Sequence, residues 1–259
     1  MSPGSLTIVG TGISIGGHLT PEARAAFAHA EEARYLVGDP VAVSVLEELN
    51  PRAKSLHTLY ETGRDRLRAY EAMVEELLEP VRGGRNVCGA FYGHPSLFVY
   101  PGLEALRIAR DEGFDTRMLP GISSLDCLWC DLGIDPAIDG CQIYHATDFV
   151  LQRRQPDTAA TLVLLQINVI AQPAQLDKPD WSRLPVLVDY LAEFYSADHE
   201  VIGYEASPYP IMAPIVERVA LAGLAGARLS PGMTLVVPPA TAGIADPEMA
   251  RRLEMDAGA

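Results

Sequence analysis

The sequence predicts an α/β protein made of two subdomains. In the first half, short apolar strands alternate with helices, an order typical of a parallel sheet covered by helices. In the second half, strands are more numerous and the alternation is less regular. The stretch at residues 133–140 is rich in turn residues, and we expect a hinge within residues 121–140. We therefore assign residues 1–120 to the first subdomain and residues 121–259 to the second.

The elements of the first half follow from apolar periodicity, caps and breakers. Residues 5–9 form an apolar strand, and a Thr-Pro-Glu cap at residues 20–22 begins an Ala-rich helix that runs to about residue 33. Apolar side chains at steps of three and four predict a long helix over residues 63–82, which two glycines end. The other predicted elements are strands at residues 35–38, 86–90 and 116–119 and helices at residues 41–49 and 103–112.

The second half is predicted to contain mainly strands. A polar loop at residues 173–184 separates two groups of them and leads into a helix at residues 185–195. The predicted strands are residues 142–144, 161–166, 200–206, 215–220 and 233–237.

Composition and charge narrow the function classes. Of the 259 residues, 48% are apolar, which is enough for a proper core. Twenty basic against 34 acidic residues leave a net charge of −14, which argues against a nucleic-acid partner, since such proteins need a basic face. The sequence shows no secretion signal, and no apolar run approaches the length of a membrane span. We therefore expect a cytoplasmic enzyme with no membrane partner.

Cys127 and Cys130 form a C-x-x-C motif that needs interpretation. A zinc site requires a second ligand pair at matching spacing, and Cys141 is the only nearby candidate. The apolar neighbours of the pair predict a buried helix face, where free cysteines are common. We therefore expect core packing and no metal, with a redox or metal role as the alternative.

Residues 91–98, with the sequence Phe-Tyr-Gly-His-Pro-Ser-Leu-Phe, join a buried strand to a helix. In open α/β sheets, ligands bind at the carboxyl ends of the strands. Gly93 allows a sharp turn, while Tyr92 and His94 are the side chains there that can bond a polar ligand. The alternative is a strand-to-helix turn in which His94 acts only as a cap.

A glycine pair after the first strand suggests a second interpretation. Gly10 and Gly12 begin a dinucleotide-binding pattern, and Asp39 at the end of the next strand could hold a ribose. The third glycine of that pattern is replaced by Ile15. A nicotinamide-dependent dehydrogenase is therefore the weaker alternative.

Three polar side chains near the long helix could carry acid–base chemistry. Arg66 and Tyr70 are four residues apart and so lie on one helix face, with Tyr60 just before that helix. A guanidinium beside a phenol stabilises the phenolate, so Tyr70 is a candidate base. The alternative is structural, with Tyr70 in the core and Arg66 in a salt bridge.

Several motifs together are similar to those of a known family. They are residues 5–13, 91–95, 109–114, 118–123, 126–128, 134–136 and 162–166. The set resembles the tetrapyrrole methylase superfamily of S-adenosylmethionine (SAM) methyltransferases, over about residues 5–255. The closer resemblance is to its peptide-backbone branch, the borosin α-N-methyltransferases. Tetrapyrrole methylases usually have Gly-Asp-Pro at the central turn, whereas this chain has Gly-His-Pro, which favours the peptide branch.

The resemblance implies two α/β subdomains with SAM in the cleft between them, and a homodimer. The catalytic residues that it implies are Arg66, Tyr70 and Tyr92, with Tyr60 nearby at the substrate. The residues that it implies for SAM binding are Tyr92, His94, Leu97, Ser124, Gln166, Ala206, Met233 and Thr234. Met233 departs from the family's Ser and Ser96 from a frequent Gly, so one polar contact and the shape of one turn differ from the pattern.

The substrate implied by the resemblance is the backbone amide of a peptide. Fungal members of the family carry this peptide as a C-terminal extension, whereas we recognise none before Ala259. We therefore expect a separate precursor peptide, methylated in trans. Two alternatives remain: SAM-dependent C-methylation of a tetrapyrrole precursor, and an inactive module that binds SAM or a peptide.

Overall fold

The computed structural model describes residues 4–60, 65–176 and 178–255. The chain divides into two compact units. The first unit comprises Met1–Gly133, Gln172–Lys178 and Ala206–Ile215, and the second comprises Ile134–Ala171, Pro179–Glu205 and Val216–Ala259. The functional boundary expected between residues 120 and 121 stays a prediction.

The first unit alternates strands and helices. Its strands are β1 (Ser5–Gly10), β2 (Glu32–Leu36), β3 (Ala53–Ser55), β4 (Asn86–Phe91) and β5 (Asp115–Leu119). Its helices are α1 (Ile15–His18), α2 (Pro21–His29), α3 (Pro40–Leu49), α4 (Arg66–Arg82), α5 (Tyr100–Asp111) and α6 (Ser124–Leu132), with a 3-10 helix at Leu56–Leu59.

These strands form a sheet in the order β3-β2-β4-β1-β5, and each pair of neighbours is parallel. Successive side chains of a strand point to opposite faces. In β1, Leu6 and Ile8 pack with side chains of α4 and α5, whereas Val9 packs with side chains of α2 and α3. Helices therefore cover both faces, and the carboxyl ends of β1, β4 and β5 lie side by side at one edge.

The second unit contains a mixed sheet. Its strands are β6 (Cys141–His145), β7 (Thr161–Leu165), β8 (Glu200–Glu205), β9 (Ile215–Ala220) and β10 (Thr234–Val237), in the order β6-β7-β10-β8-β9. Its helices are α7 (Ala146–Leu151), α8 (Leu184–Leu191) and α9 (Pro247–Arg252), with 3-10 helices at Ile167–Val169 and Leu221–Gly226. Strands β6 and β7 are parallel, while β10 is antiparallel to β7 and β8.

The predicted α/β fold with two subdomains is confirmed, and the differences lie at element ends. The Ala-rich helix was predicted to reach residue 33 but ends at His29, because β2 already begins at Glu32. Ala33 and Tyr35 are buried and pair with β4, so tertiary packing overrides the helix propensity of alanine. The short elements α1, β3 and α7 were not predicted, because they offer little periodicity.

The long helix over residues 63–82 is confirmed from Arg66 onward, and residues 63 and 64 lie outside the described residues. Asp65 caps the helix, because its carboxylate accepts a hydrogen bond from the amide of Leu67. Within the described ranges, no helix is long and apolar enough to cross a membrane.

Candidate active site

Three glycines meet at the carboxyl edge of the parallel sheet. A Cβ atom on Gly10 would lie 2.4 Å from the carbonyl oxygen of Gly93, and one on Gly121 would lie 2.5 Å from the same oxygen. Both distances are far below van der Waals contact, and the atom met is backbone, so neither glycine can carry a side chain. We call Gly10, Gly93 and Gly121 the glycine floor, since three backbone segments pack directly against one another there.

Hydrogen bonds lock two of the loops that form this floor. The amide of Gly12 donates to the carbonyl of Gly93 at 3.2 Å, and the amide of Gly93 donates to the carbonyl of Gly12 at 3.1 Å. Both residues have positive φ, +73° and +70°, a region that side chains disfavour. The turn predicted at Gly93 is therefore a left-handed position held by a reciprocal backbone pair.

The imidazole of His94 is oriented within this turn. Its Nδ1 atom accepts a hydrogen bond from the amide of Ser96 at 3.2 Å and lies 2.9 Å from the Ser96 hydroxyl. A neutral ring whose Nδ1 accepts carries its proton on Nε2, which can then donate to a ligand. Phe98, at the end of the turn, has a φ of 57°, an uncommon conformation for a bulky residue and one that clusters at ligand sites.

Tyr60, Arg66 and Tyr70 come together at the start of α4, as predicted from their spacing. The rings of Tyr60 and Tyr70 are 6.2 Å apart in an edge-to-face arrangement. Burial raises the pKa of Tyr60, as do the proximity of Tyr70 and a hydrogen bond to it, while Arg66 opposes the rise. The raised pKa keeps the Tyr60 hydroxyl protonated, so it is available as a hydrogen-bond donor beside Tyr70.

The guanidinium of Arg66 is only partly satisfied. Its backbone amide donates to the carbonyl of Pro173 at 3.0 Å, and its Nη2 donates to the carbonyl of Ala174 at 3.3 Å. These bonds fix the beginning of α4 against residues 172–178. The Nε atom of Arg66 is buried and has no hydrogen-bond partner among the residues that the structure describes. A buried donor without a partner is costly, which marks it as a position for a carbonyl or carboxylate from a ligand.

Two further aromatic side chains belong to the description of this region. Tyr100 packs its ring 6.0 Å from that of Tyr70, a contact that the sequence analysis missed. The sequence places Tyr100 in the first turn of α5, just after the central turn. No local pattern shows that this position packs against α4. Tyr92, at the carboxyl end of β4, leaves 45% of its surface exposed.

The predicted SAM-binding residues lie in both units. In the second unit, Gln166 adopts a left-handed conformation with a φ of 59°, and its Oε1 lies 3.2 Å from Nε2 of His145. Thr234 is buried at the start of β10, and the side chain of Met233 packs inside the hydrophobic core. In the first unit, Ser124 begins α6 directly after the capping residue Ser123.

A side cavity of about 510 Å³ lies within the first unit, next to α6. Its lining includes Cys127 and Cys130 together with Ala206, one of the predicted SAM contacts. The expectation that both cysteines pack in the core is wrong, because Cys127 is half-buried and Cys130 is exposed. Burial, with the acidic neighbours Asp131 and Asp126, raises the pKa of Cys127 to about 11, which makes it a poor thiolate. In the described part of the chain, no group of three or more His, Cys, Asp or Glu residues could hold a metal ion.

Asp39 is engaged within the protein. Its Oδ1 accepts from the amide of Ala42 at 2.9 Å and caps α3, while its Oδ2 accepts from the hydroxyl of Tyr209. Both carboxylate oxygens are therefore used, which does not support Asp39 as a ribose ligand.

The fold and the glycine floor define a class of protein. A family model for Tetrapyrrole (Corrin/Porphyrin) Methylases matches residues 5–207, and the chain belongs to that family.

Relatives narrow the class. A Gymnopus fusipes protein described as a methyltransferase and precursor of the ribosomally synthesized gymnopeptides is 37% identical over 259 residues, covering 97% of this chain and 61% of that protein. An Omphalotus olearius protein described as a methyltransferase and omphalotin A precursor is 37% identical over 257 residues, covering 97% of this chain and 62% of that protein. The predicted resemblance to borosin methyltransferases is confirmed, and the chain spans about three-fifths of the length of these relatives.

Solved structures agree with the fold. A uroporphyrin-III-C-methyltransferase from Thermus thermophilus has a TM-score of 0.66 at 22% identity, covering 92% of this chain and 93% of that one. A cobalt precorrin-4 methyltransferase has a TM-score of 0.62 at 15% identity, with coverage of 90% and 94%. These likenesses describe the fold alone.

Proposed function

We propose that this protein is a SAM-dependent methyltransferase that N-methylates backbone amides of a precursor peptide. The observation that carries the proposal is the contact of the Tyr60 and Tyr70 rings beside Arg66, whose buried Nε has no partner in the described part of the chain. An amide nitrogen is a poor nucleophile because its lone pair is delocalised into the carbonyl. A site that methylates it needs a base for the N–H proton and a donor for the carbonyl oxygen, and this cluster offers both.

The proposed cofactor contacts include the central turn. The glycine floor packs backbone directly on backbone, which fixes the turn that would present its side chains to SAM. We propose that Tyr92, His94 and Leu97 contact it from the central turn. The other proposed contacts are Ser124, Gln166, Ala206, Met233 and Thr234, and because the Met233 side chain is in the core, Met233 contributes its backbone carbonyl. When bound, SAM supplies an electrophilic methyl group.

The chain's own side chains perform the acid–base work in this proposal. Tyr60 keeps its proton and donates a hydrogen bond to the Tyr70 oxygen, and Tyr70, as the phenolate, accepts the N–H proton of the substrate amide as the nitrogen takes up the methyl group. Arg66 donates from Nε to the carbonyl oxygen as that oxygen gains negative charge, and Tyr92 assists it. The amide nitrogen must lie in line with the methyl group for these side chains to act. Positioning of the substrate therefore supplies much of the rate enhancement.

An apolar surface beside the cluster suits a peptide substrate. Leu67 in the first turn of α4 and Leu103 in the first turn of α5 are 48% and 44% exposed. Tyr100 is exposed between them in sequence and packs on Tyr70. A tetrapyrrole precursor carries many carboxylates and would need basic side chains instead, while the chain has a net charge of −14. An apolar peptide is therefore the better match.

The names of the relatives join methyltransferase and precursor in one protein. For this chain we propose a separate precursor peptide, methylated in trans, and mass spectrometry can decide between the two arrangements. The protein incubated with SAM and a precursor peptide should add single methyl increments to the peptide and none to itself. Methyl groups on backbone nitrogens of this chain would contradict the trans arrangement, and methylation of an added tetrapyrrole in place of the peptide would overturn the substrate.

The cofactor proposal has its own measurement. A ligand that binds only the native state raises the melting temperature, so SAM should raise it and NAD should not. Calorimetric heat with NAD and none with SAM would refute SAM as the cofactor.

A further inference from the structure

Residues 206–215, which we call the strap, connect β8 to β9 but pack with the first unit. The strap begins with Ala206, one of the proposed SAM contacts. It contains Pro208, Pro210 and Pro214, which fix φ and lack a backbone donor. Because each proline restricts the backbone conformations that the segment can adopt, the strap needs few other interactions to keep its shape.

Hydrogen bonds within the strap form a turn around one side chain. The Ser207 hydroxyl donates to the carbonyl of Tyr209 at 2.9 Å, and the amide of Tyr209 donates to the Ser207 hydroxyl oxygen at 3.2 Å. The amide of Met212 also donates to the carbonyl of Tyr209, at 3.0 Å. The backbone of Tyr209 is thereby fixed relative to Ala206, three residues before it.

The side chain of Tyr209 joins the strap to the sheet framework. Its hydroxyl donates to Oδ2 of Asp39, a residue 170 positions away in sequence. Asp39 is itself held in place as the N-cap of α3, where its Oδ1 accepts from the amide of Ala42. This bond and the proximity of the carboxylate raise the pKa of Tyr209, so the phenol stays a donor throughout the neutral range.

Packing behind the strap is thin. Ala206, Ser207 and Tyr209 line the side cavity of about 510 Å³, so this side of the strap faces open space instead of a filled core. Ile211, near the middle of the strap, is 95% exposed. Ala206 itself is buried, whereas residues 207–215 are half-buried or exposed, so this part of the strap relies more on the hydrogen bond that connects it to a fixed helix cap.

We propose that Tyr209 and Asp39 are positioning residues, which together hold Ala206 where it contacts SAM. The inference rests on the proposed function, since it assumes that SAM binds at Ala206. Loss of the bond should free the strap and weaken SAM binding, while the catalytic cluster at the start of α4 is left as it is. The KM for SAM should therefore rise, whereas kcat at saturating SAM and the KM for the peptide should not change.

Three variants test the proposal. Tyr209→Phe removes the hydroxyl and keeps the ring. Asp39→Ser keeps a good N-cap on α3 but removes the Oδ2 atom that accepts from Tyr209, together with the carboxylate charge. Tyr195→Phe is the matched control, because the hydroxyl of Tyr195 is buried in the second unit and has no hydrogen-bond partner within the described ranges. Calorimetric titration with SAM should show a Kd raised about fivefold or more in the first two variants, as expected for a bond to a charged acceptor, and an unchanged Kd in the control.

The double variant distinguishes a shared bond from two separate effects. If Tyr209 and Asp39 act through one bond, the double variant should have the same Kd for SAM as the single variant that binds SAM more weakly. Effects that multiply would overturn the proposal, and so would wild-type SAM affinity in Tyr209→Phe or in Asp39→Ser. A wild-type protein that gives no heat with SAM would overturn the proposed function and this inference together. Wild-type SAM binding that the variants leave unchanged would overturn this inference alone, so the two failures can be told apart.

Discussion

Replacing Tyr70 by phenylalanine deletes one oxygen and tests the proposed base directly. The ring stays between those of Tyr60 and Tyr100, 6.2 Å and 6.0 Å away, so packing at the start of α4 is kept. What disappears is the acceptor for the Tyr60 hydroxyl and the proposed acceptor for the substrate proton. A general base contributes about 10²–10⁴ in rate, so kcat should fall at least a hundredfold.

The effect on stability should be much smaller than the effect on rate. Loss of one hydrogen bond costs about 0.5–1.5 kcal/mol, which lowers the melting temperature by only a few degrees in a chain of this size. A hundredfold loss of rate corresponds to about 2.7 kcal/mol of transition-state stabilisation. The two effects can therefore be separated by measuring turnover well below the melting temperature.

The assay measures single-turnover methylation of the peptide by mass spectrometry, with the Kd for SAM from calorimetry. SAM affinity should stay near that of the wild type, because the lost group acts in the transition state. Tyr35→Phe is the matched control, since Tyr35 is a buried tyrosine of the same unit whose hydroxyl donates to Glu47 at 2.7 Å. Turnover in Tyr70→Phe equal to that of Tyr35→Phe would refute Tyr70 as the base.

Three further predictions concern the floor, the buried phenol and the assembly. Gly121→Ala should lose about 2 kcal/mol or more of unfolding free energy, because its Cβ would lie 2.5 Å from the carbonyl oxygen of Gly93. Gly17→Ala should not, because outside its own helix backbone no described atom lies within 4 Å of the added Cβ. Equal urea midpoints for the two variants would contradict this. The pKa of Tyr60 is raised in the folded protein, so its contribution to stability is full below about pH 10 and is lost as pH rises further. The melting temperature of Tyr60→Phe should therefore decline less above pH 10 than that of the wild type. An identical decline in both proteins would count against this prediction. Light scattering should give twice the chain mass of 28.0 kDa, as expected for a homodimer, and a monomer mass at micromolar concentration would argue against it.

Local patterns were sufficient to predict the framework of the site. β1 and β4 are short apolar runs bounded by glycines, and α4 has a long apolar stripe, so their identity follows from periodicity. The proximity of Arg66 and Tyr70 follows from the helix repeat alone. These features depend on neighbours within a few residues, which a single sequence records.

Contacts between distant parts of the chain were not predictable in the same way. The bond from Tyr209 to Asp39 spans 170 positions, and Arg66 meets the carbonyl of Ala174 across 108 positions. The ring contact of Tyr70 with Tyr100 depends on how α4 and α5 pack, which no local pattern encodes. The exposure of Cys130 was missed for the same reason, because apolar neighbours on a helix do not show which side faces a cavity.

The position of β1 inside its sheet has a consequence for how the protein folds. β1 pairs with β4 and β5, and Ser5 lies beside Asn86, 81 residues later in the chain. At about 5–20 residues per second, the ribosome needs roughly 4–16 s to deliver that partner after the first strand has been made. During this interval an apolar strand waits with both edges unpaired, and pairings of such long range form slowly. The first unit is therefore completed late in synthesis, after β4 and β5 have emerged on either side of the strand that was made first.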